Sequence, residues 1–295
     1  FWSQRRGFVP PEGLTQTVLT ESFIVKFKMS EKSIWTTDYT MIAGLDPSFS
    51  VGGDACVLYP AKVGKMTNGI TGIEFQEPVH INLKLSEGVP MAFSIARDVI
   101  QYCRDNAIDI NRLGVDVSGQ QSSIADVIDR ESKDVCHRVH FAAEGGKRPV
   151  SMEDQRPASE VYKNKMTEMW YQVREFGRNG QVRGLGYQAA EEFCQRIVSE
   201  KLDVRGRIQL ESKVEMKSRT GGKSPDDADA ASICIEVMRN MLGIVPGQGG
   251  KISTGQFSSA DVLRNMLPED GLYEEDEYSE EVFCDVIEDS VKIHY

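Results

Sequence analysis

The 295-residue sequence lacks the features that mark several large classes of protein. No apolar run approaches the roughly 18 residues that a membrane-spanning helix needs, and residues 1–6 lack the apolar core of a secretory signal. The four histidines show no ligand spacing and the six cysteines form no CxxC pair, so a zinc site is not expected. Buried free thiols in a reducing compartment are the favoured interpretation of the cysteines.

A nucleotide-binding loop is also missing. The Gly-Lys-Ser triplet occurs once, at residues 222–224, and the P-loop pattern requires a glycine where Lys217 stands. No ATP site is therefore expected in this chain. The chain does not begin with methionine, and we expect it to be a fragment of a longer protein.

The formal net charge of −11 comes from one end of the chain. Residues 269–289 hold eleven acidic residues, whereas residues 1–267 hold 34 acidic and 33 basic residues. The body is thus close to neutral, and a neutral body can still present a basic face to DNA. Residues 246–295 are loop-rich and acidic, and we expect a flexible tail there.

Two aspartates end apolar runs that are typical of strands. Asp46 follows Met-Ile-Ala-Gly-Leu, and Asp116 follows Leu-Gly-Val. If these strands are neighbours that end at the same edge of a sheet, the two carboxylates lie close together. Taken singly, an aspartate at a strand end is more often a turn residue, and Asp54 in its Gly-Gly turn is interpreted in that way.

Two further aspartates open a helix-like segment. Asp226 and Asp229 lie three residues apart and share one helix face, whereas Asp227 points elsewhere. Ser224 and Pro225 fit the N-cap and the first helical position, which places the acids in the first turn. The alternative is that these acids only complement the helix dipole.

Together these carboxylates have the chemistry of a site for two divalent metal ions. Mg²⁺ and Mn²⁺ prefer carboxylate and water oxygens. Two such ions about 3.5–4 Å apart can activate water and stabilise the leaving oxygen of a phosphodiester. The predicted metal ligands, which are also the predicted catalytic residues, are Asp46, Asp116, Asp226 and Asp229.

The hydrophobic pattern predicts an α/β fold. An opening run of strands precedes alternating helices and strands, which predicts an antiparallel meander and then parallel strands in a mixed sheet flanked by helices on both faces. The predicted strands span residues 40–46, 55–63, 69–75, 78–84, 112–116 and 137–142. The predicted helices span residues 90–106, 120–131, 158–177, 187–199 and 226–242.

Four segments form an ordered set of motifs. Three are Ala-Gly-Leu-Asp-Pro-Ser-Phe at 43–49 with Gly-Gly-Asp at 52–54, Gly-Val-Asp at 114–116, and Trp-Tyr-Gln-Val-Arg-Glu-Phe at 170–176. The fourth runs from Leu-Glu-Ser-Lys at 210–213 to Lys-Ser-Pro-Asp-Asp-Ala-Asp-Ala at 223–230. With these motifs the chain resembles the nuclease domain of the large terminase subunit of tailed bacteriophages, an RNase H-like fold related to Holliday-junction resolvases. The resemblance covers roughly residues 40–245.

The resemblance implies a metal-dependent DNA endonuclease that cuts concatemeric viral DNA during genome packaging, with little sequence specificity. It implies that Asp46 and Asp116 are the first two acids of the site and that Asp226 and Asp229 share the third position. Some terminases have a histidine at the upstream position of this pair. Two Mg²⁺ or Mn²⁺ ions are the implied cofactors. The implied location is the host cell cytoplasm, transiently on the viral procapsid.

The resemblance also implies domains and partners. Residues 1–37 are predicted to be a linker arm from an ATPase domain that is missing from this chain, residues 38–245 the nuclease domain, and residues 246–295 the tail. The tail could solubilise the chain, dock a partner or cover a basic face. The implied partners are double-stranded DNA, the packaging ATPase domain, the portal protein and the small terminase subunit, and no membrane.

Exposed cations are the predicted contacts to DNA, because a nuclease of low sequence specificity grips phosphates. The run 213–223 holds four basic residues and leads directly to Asp226, with a solvated β-hairpin or loop as the alternative. For Arg174, Arg178 and Arg183 a polar helix face is favoured. The predicted DNA-binding residues are Lys147, Arg148, Lys213, Lys217, Arg219 and Lys223.

Three other functions are compatible with the sequence. A Holliday-junction-type resolvase would need a dimer and a basic junction surface. An actin-like ATPase would need Asp-x-Gly phosphate loops, which residues 46–48 and 116–119 imitate only loosely. A non-catalytic portal-docking module would carry the same acids without using them.

Overall fold

A mixed seven-stranded sheet organises the described part of the chain. The computed structural model describes residues 17–35, 39–49, 54–83, 88–199 and 203–248. The strands are β1 (Thr40–Asp46), β2 (Cys56–Lys65), β3 (Thr71–Phe75), β4 (Val79–Ile81), β5 (Leu113–Asp116), β6 (His137–Val139) and β7 (Val182–Arg183). Their order across the sheet is β6-β5-β1-β2-β3-β7, and β4 pairs with β2.

The strand directions follow the predicted pattern. β1 runs antiparallel to β2, and β2 runs antiparallel to β3, which forms the meander. β5 and β6 then add in parallel on the other side of β1. The prediction of an antiparallel meander followed by parallel strands is confirmed, and the short β7, parallel to β3, is an addition that the sequence pattern does not predict.

Helices flank this sheet. They are α1 (Glu21–Lys26), α2 (Met91–Asp105), α3 (Ser122–Ser132), α4 (Ala158–Val161), α5 (Lys165–Arg178), α6 (Tyr187–Gln195), α7 (Lys213–Thr220) and α8 (Asp226–Leu242). Within the described ranges, none of them is long and apolar enough to cross a bilayer. The five described cysteines are free and four of them are buried, while Cys284 lies outside the described residues.

Two apolar cores lie on the two faces of the sheet. On one face, α2 and α3 pack Val99 and Ile124 against Leu45 of β1. On the other face, α5, α6 and α8 form the larger core, which includes Phe193 and Ile233. The strands therefore bury side chains in both directions, which is why their sequences are near-continuous apolar runs rather than alternating ones.

Two predicted helices differ from those observed. The predicted helix 158–177 is two helices, because Tyr162 is extended and the side chain of Asn164 caps the start of α5. The predicted helix 187–199 ends early, since Arg196 is also extended. The helical spacing of apolar residues thus continues through both breaks, although the backbone is not helical there.

The segment before the last helix is helical rather than a hairpin or a loop. The side chains of Ser212 and Glu215 form a capping box that starts α7, each accepting a hydrogen bond from the backbone N–H of the other. In α8, the first helical residue is Asp226, and Pro225 rather than Ser224 stands in the cap position. The acids still lie in the first turn, as predicted.

Residues 17–35, which we call the amino-terminal strap, pack against the sheet domain. Several of their apolar side chains are buried in the larger core. The carbonyl oxygen of Val18 accepts a hydrogen bond from Nη1 of Arg174 at 2.8 Å, and that of Phe27 accepts one from Nη1 of Arg183 at 3.0 Å. This part of the predicted linker arm therefore belongs to the folded unit.

The rest of the predicted arm and most of the predicted tail lie outside the described residues. These are residues 1–16 and 36–37 of the arm and residues 249–295 of the tail. The assignment of a linker to a preceding domain, and of a docking or inhibitory role to the acidic end, stay predictions.

Helix α8 crosses β1 and β5 at very short distance. Gly44 and Gly114 lie opposite each other in the parallel register. A Cβ at Gly44 would lie 2.3 Å from the carbonyl oxygen of Ala230, and one at Gly114 would lie 2.5 Å from Cγ2 of Ile233. The two glycines let the helix pack directly on the strand backbone, which brings its first turn to the edge where both strands end.

We predict that Gly44→Ala lowers the free energy of unfolding by about 1–3 kcal/mol, because the added methyl group meets the backbone of α8. Gly114→Ala meets side-chain methyl groups instead and should cost less. Chemical denaturation followed by circular dichroism measures both values. No loss at Gly44 would contradict the close packing of α8 on β1, and equal losses would contradict the predicted difference between the two positions.

Candidate active site

The four predicted aspartates meet at the carboxyl edge of β1 and β5. The parallel register of these strands places Asp46 and Asp116 side by side at the strand ends. The first turn of α8 adds Asp226 and Asp229. Each residue exposes 6% or less of its surface. We call these four residues the aspartate cluster.

Lys213 lies at the centre of the aspartate cluster. Its Nζ is 2.8 Å from Oδ2 of Asp229 and 3.3 Å from Oδ2 of Asp46. The same atom is 3.6 Å from Oδ1 of Asp226. Because Lys213 is the first residue of α7, the capping box of that helix positions the ammonium group. One cation thus connects three carboxylates from β1 and α8.

Backbone and hydroxyl donors hold two members of the cluster from outside. The backbone N–H of Ala55 donates to Oδ2 of Asp226 at 2.7 Å. The N–H and the hydroxyl of Ser118 donate to Oδ1 of Asp116 at 3.0 and 2.6 Å. Each of these carboxylates therefore has one oxygen committed to the protein, which fixes the direction of the other.

Asp229 is held by side chains instead. Nε1 of Trp170 donates a hydrogen bond to its Oδ1 at 2.7 Å. Nη1 of Arg196 lies 3.5 Å from the same oxygen. The opposite oxygen, Oδ2, faces Lys213. Asp229 thus lies between two buried donors on one side and the centre of the cluster on the other.

The cluster is short of positive charge. Burial raises the pKa of Asp46 well above its ordinary value; Lys213 opposes this rise, and Asp229 adds to it. Burial also raises the pKa of Asp116 and of Asp226. Burial alone would lower the pKa of Lys213, but the neighbouring carboxylates raise it well above the usual range. Further positive charge at the centre would stabilise the ionised acids.

The donor set suits a hard divalent cation. Oδ1 of Asp226 and Oδ2 of Asp229 are buried and accept no well-aligned hydrogen bond from the described residues. Oxygens of this kind are the ligands that Mg²⁺ and Mn²⁺ prefer. In the part of the chain that is described, no group of three His, Cys, Asp or Glu side chains is already spaced to hold a metal ion. The ammonium of Lys213 lies between the carboxylates instead.

Two neighbouring acids have different surroundings. Asp227 points away from the cluster, as predicted, and its Oδ1 lies 3.1 Å from Nε2 of His80. Asp54, for which the sequence predicts a turn position, pairs with Nζ of Lys217 at 2.5 Å. Asp54 directly precedes Ala55, whose backbone N–H donates to Asp226. Residues 51–53 of the predicted turn lie outside the described residues.

The predicted DNA-binding residues divide into two groups. Lys213 and Lys217 are paired with the carboxylates just described, and Arg219 is paired with Glu211. The second group consists of Lys147, Arg148 and Lys223. The side chains of Lys147 and Lys223 are exposed, and that of Arg148 is half-buried.

Sequence patterns miss the central position of Lys213 and both partners of Asp229. The capping box that begins at Ser212 could have placed Lys213 at a helix start. Trp170 stands in a motif, but its hydrogen bond to Asp229 joins residues 59 apart. Arg196 carries no local signal, because its side chain contacts Asp229, Glu211 and Trp170, which are distant in the sequence.

No protein-family model and no curated protein matches this sequence. Solved structures do match. A variant of the large terminase subunit from bacteriophage Sf6 with calcium has a TM-score of 0.56 at 14% identity, covering 75% of this chain and 99% of that one. The nuclease domain of the large terminase subunit of bacterial virus Sf6 has a TM-score of 0.53 at 16% identity, covering 75% and 98%. A variant of that domain with manganese has a TM-score of 0.52 at 13% identity, covering 75% and 99%.

These structures match nearly their whole length to three quarters of this chain, at 16% identity or less. At that identity the similarity concerns the fold. The predicted resemblance is confirmed at this level: the chain has the RNase H-like α/β fold found in the nuclease domain of a phage large terminase subunit.

Proposed function

We propose that this chain is a metal-dependent endodeoxyribonuclease. The observation that carries the proposal is the aspartate cluster, in which four almost completely buried carboxylates meet at a sheet edge and three of them pair with one ammonium group. Burying so many like charges costs stability unless they are paired, so a purely structural role does not account for them. The fold, which nuclease domains share, supports the same activity.

Asp46, Asp116, Asp226 and Asp229 would hold two Mg²⁺ or Mn²⁺ ions in this proposal. When bound, such ions supply an activated water and stabilise the leaving oxygen of a phosphodiester. The protein orients three of these ligands, because Ser118, the backbone of Ala55 and Trp170 each hold one oxygen of Asp116, Asp226 and Asp229 respectively. The manganese and calcium in the Sf6 structures support the choice of a divalent ion.

Lys213 acts as an internal counter-ion of the cluster. Its ammonium faces the same oxygens that an added cation would use, so the two compete. The side chain of Lys213 is 33% exposed, so it borders solvent.

Removal of this ammonium should tighten the binding of divalent cations. We predict that Lys213→Ala lowers the Kd for Mn²⁺ by about tenfold or more, because a partly buried unit charge within 4 Å of a carboxylate is worth more than roughly 1.4 kcal/mol. Lys217→Ala is the matched control, since Lys217 lies on the same helix but pairs with Asp54. Isothermal titration calorimetry measures both. An unchanged Kd in Lys213→Ala would show that the ammonium does not compete with metal.

Neutralising a proposed ligand should abolish DNA cleavage. We predict that the wild-type chain nicks supercoiled plasmid DNA in Mn²⁺, and that Asp46→Asn and Asp116→Asn slow nicking on the order of 100-fold or more. Asp227→Asn is the matched control, because this neighbouring buried acid faces His80 rather than the cluster. It should nick at close to the wild-type rate.

Two outcomes of this assay would redirect the proposal. If Asp46→Asn and Asp116→Asn nick DNA at the wild-type rate, the assignment of these residues as metal ligands is wrong. A four-way DNA junction tested in parallel separates the two nuclease types, since preferential cleavage of the junction by a dimer would favour a resolvase.

The proposed biological role is the cutting of concatemeric viral DNA during genome packaging. It is supported by a fold that occurs in a phage large terminase subunit. The substrate in this role is double-stranded DNA, held by its phosphates with little sequence specificity, and Lys147 and Lys223 are accessible for that contact. The proposed partners are the packaging ATPase domain, the portal protein and the small terminase subunit, in the host cytoplasm and transiently on the procapsid.

A further inference from the structure

Asp229 is held from behind by two buried groups, the hydrogen-bond donor Trp170 and the cation Arg196. Its Oδ1 accepts a hydrogen bond from Nε1 of Trp170 at 2.7 Å, and Nη1 of Arg196 lies 3.5 Å from the same atom. Trp170 and Asp229 have no exposed surface, and Arg196 exposes 1%. All three groups thus lie in the protein interior. Hydrogen bonds and charge attraction are stronger there than in water.

The two donors fix each other. Nε and Nη2 of Arg196 donate to the carbonyl oxygen of Glu211 at 3.2 and 3.1 Å. The guanidinium group also lies 4.6 Å from the centre of the Trp170 ring. Trp170 in turn packs edge-on against Phe193, with ring centroids 4.6 Å apart. Neither donor can move away from Asp229 without breaking contacts on a second side.

Nη1 of Arg196 has a charged neighbour and no hydrogen bond within the described part of the chain. Nη1 is buried and has no hydrogen-bond partner among the described residues, although it faces Asp229. A buried cationic nitrogen without a hydrogen bond costs free energy, which the nearby charge of Asp229 offsets. Packing alone therefore does not account for the position of Arg196 beside Asp229.

The two oxygens of Asp229 have different surroundings. Oδ1 faces Trp170 and Arg196, whereas Oδ2 lies 2.8 Å from Nζ of Lys213. The terminal torsion of an aspartate is broad and nearly two-fold, so an unrestrained carboxylate can exchange its oxygens. The hydrogen bond from Trp170 and the charge of Arg196 remove this freedom and leave Oδ2 for the centre of the cluster.

We propose that Trp170 and Arg196 are positioning residues, which hold Oδ1 of Asp229 so that Oδ2 is presented to a divalent cation in the aspartate cluster. This inference rests on the proposed function of the cluster. Partners that hydrogen-bond to a ligating group typically change metal affinity or activity by about 10–100-fold when they are removed. Trp170 and Arg196 act through Asp229 and do not contact the DNA.

Mn²⁺ binding, measured by isothermal titration calorimetry, tests this inference. Trp170→Phe removes the N–H donor and keeps an aromatic ring in the core. Arg196→Lys keeps the charge but loses the planar fork that spans Glu211 and Asp229. Each variant should weaken Mn²⁺ binding by about tenfold or more.

Two matched controls separate positioning from loss of packing. Arg239→Lys changes another arginine with 1% exposure, which pairs with Glu168 and Glu236 towards the far end of α8. Trp35→Phe removes an indole donor to Glu74 of β3. In the sheet, β2 separates β3 from β1 and β5, whose ends carry the aspartate cluster. Both controls should keep the wild-type affinity for Mn²⁺, whatever their effect on the thermal unfolding midpoint.

A measurement on the wild-type chain needs no variant. The chain has three tryptophans, so their indole N–H signals can be assigned in a ¹H–¹⁵N spectrum. Titration with diamagnetic Mg²⁺ should shift the signal of Trp170, because its acceptor Asp229 would gain a cation on the other oxygen. The signal of Trp35 should stay in place.

The outcomes distinguish this inference from the proposed function. Absence of Mn²⁺ binding by the wild-type chain would overturn the proposed function itself. Binding by the wild type, with equal affinity in Trp170→Phe and Arg196→Lys, would overturn the positioning role alone. An unmoved Trp170 signal at saturating Mg²⁺ would also overturn the positioning role. Because this measurement uses the wild-type chain, it tests the role even if a variant fails to fold. Weaker binding in the two variants and not in the controls supports the role.

Discussion

The burial of four carboxylates beside one ammonium group is the constraint on which the rest of the structure depends. Buried acids need a counter-charge, because an unpaired buried charge is strongly destabilising. Lys213 supplies that charge from the start of α7, and the capping box at Ser212 fixes where the helix starts. Helix α8 must in turn lie against β1 and β5 to bring its acids there, which the paired glycines of these strands permit.

The sheet and the convergence of the acids could be predicted because their signals are local. Asp46 and Asp116 end apolar runs, and adjacent parallel strands end at one edge, so their proximity follows from the fold. The spacing of Asp226 and Asp229 places them on one helix face regardless of tertiary structure. The separation of Asp227 from this pair follows from the same geometry.

The counter-charge and the supports of Asp229 could not be predicted, because they depend on contacts between distant segments. A lysine in a basic run is attracted equally by a DNA phosphate and by a carboxylate of its own chain, and the sequence does not show which is nearer. For Lys213 and Lys217 the nearer partners are acids. The packing of the amino-terminal strap could not be predicted for the same reason. Two of its carbonyl oxygens accept hydrogen bonds from Arg174 and Arg183, which are far along the chain.

The position of Lys213 also separates folding from activation in the proposed function. Where an acidic site has no cation of its own, metal binding and folding are coupled. Here the lysine offsets part of the repulsion, so the domain can be synthesised and stored folded without divalent ions. Binding of a divalent ion would then require displacement of the Lys213 ammonium, and the free energy of this displacement would weaken metal binding. In the proposed function, loading the site would therefore need a higher concentration of free divalent ion than it would without Lys213.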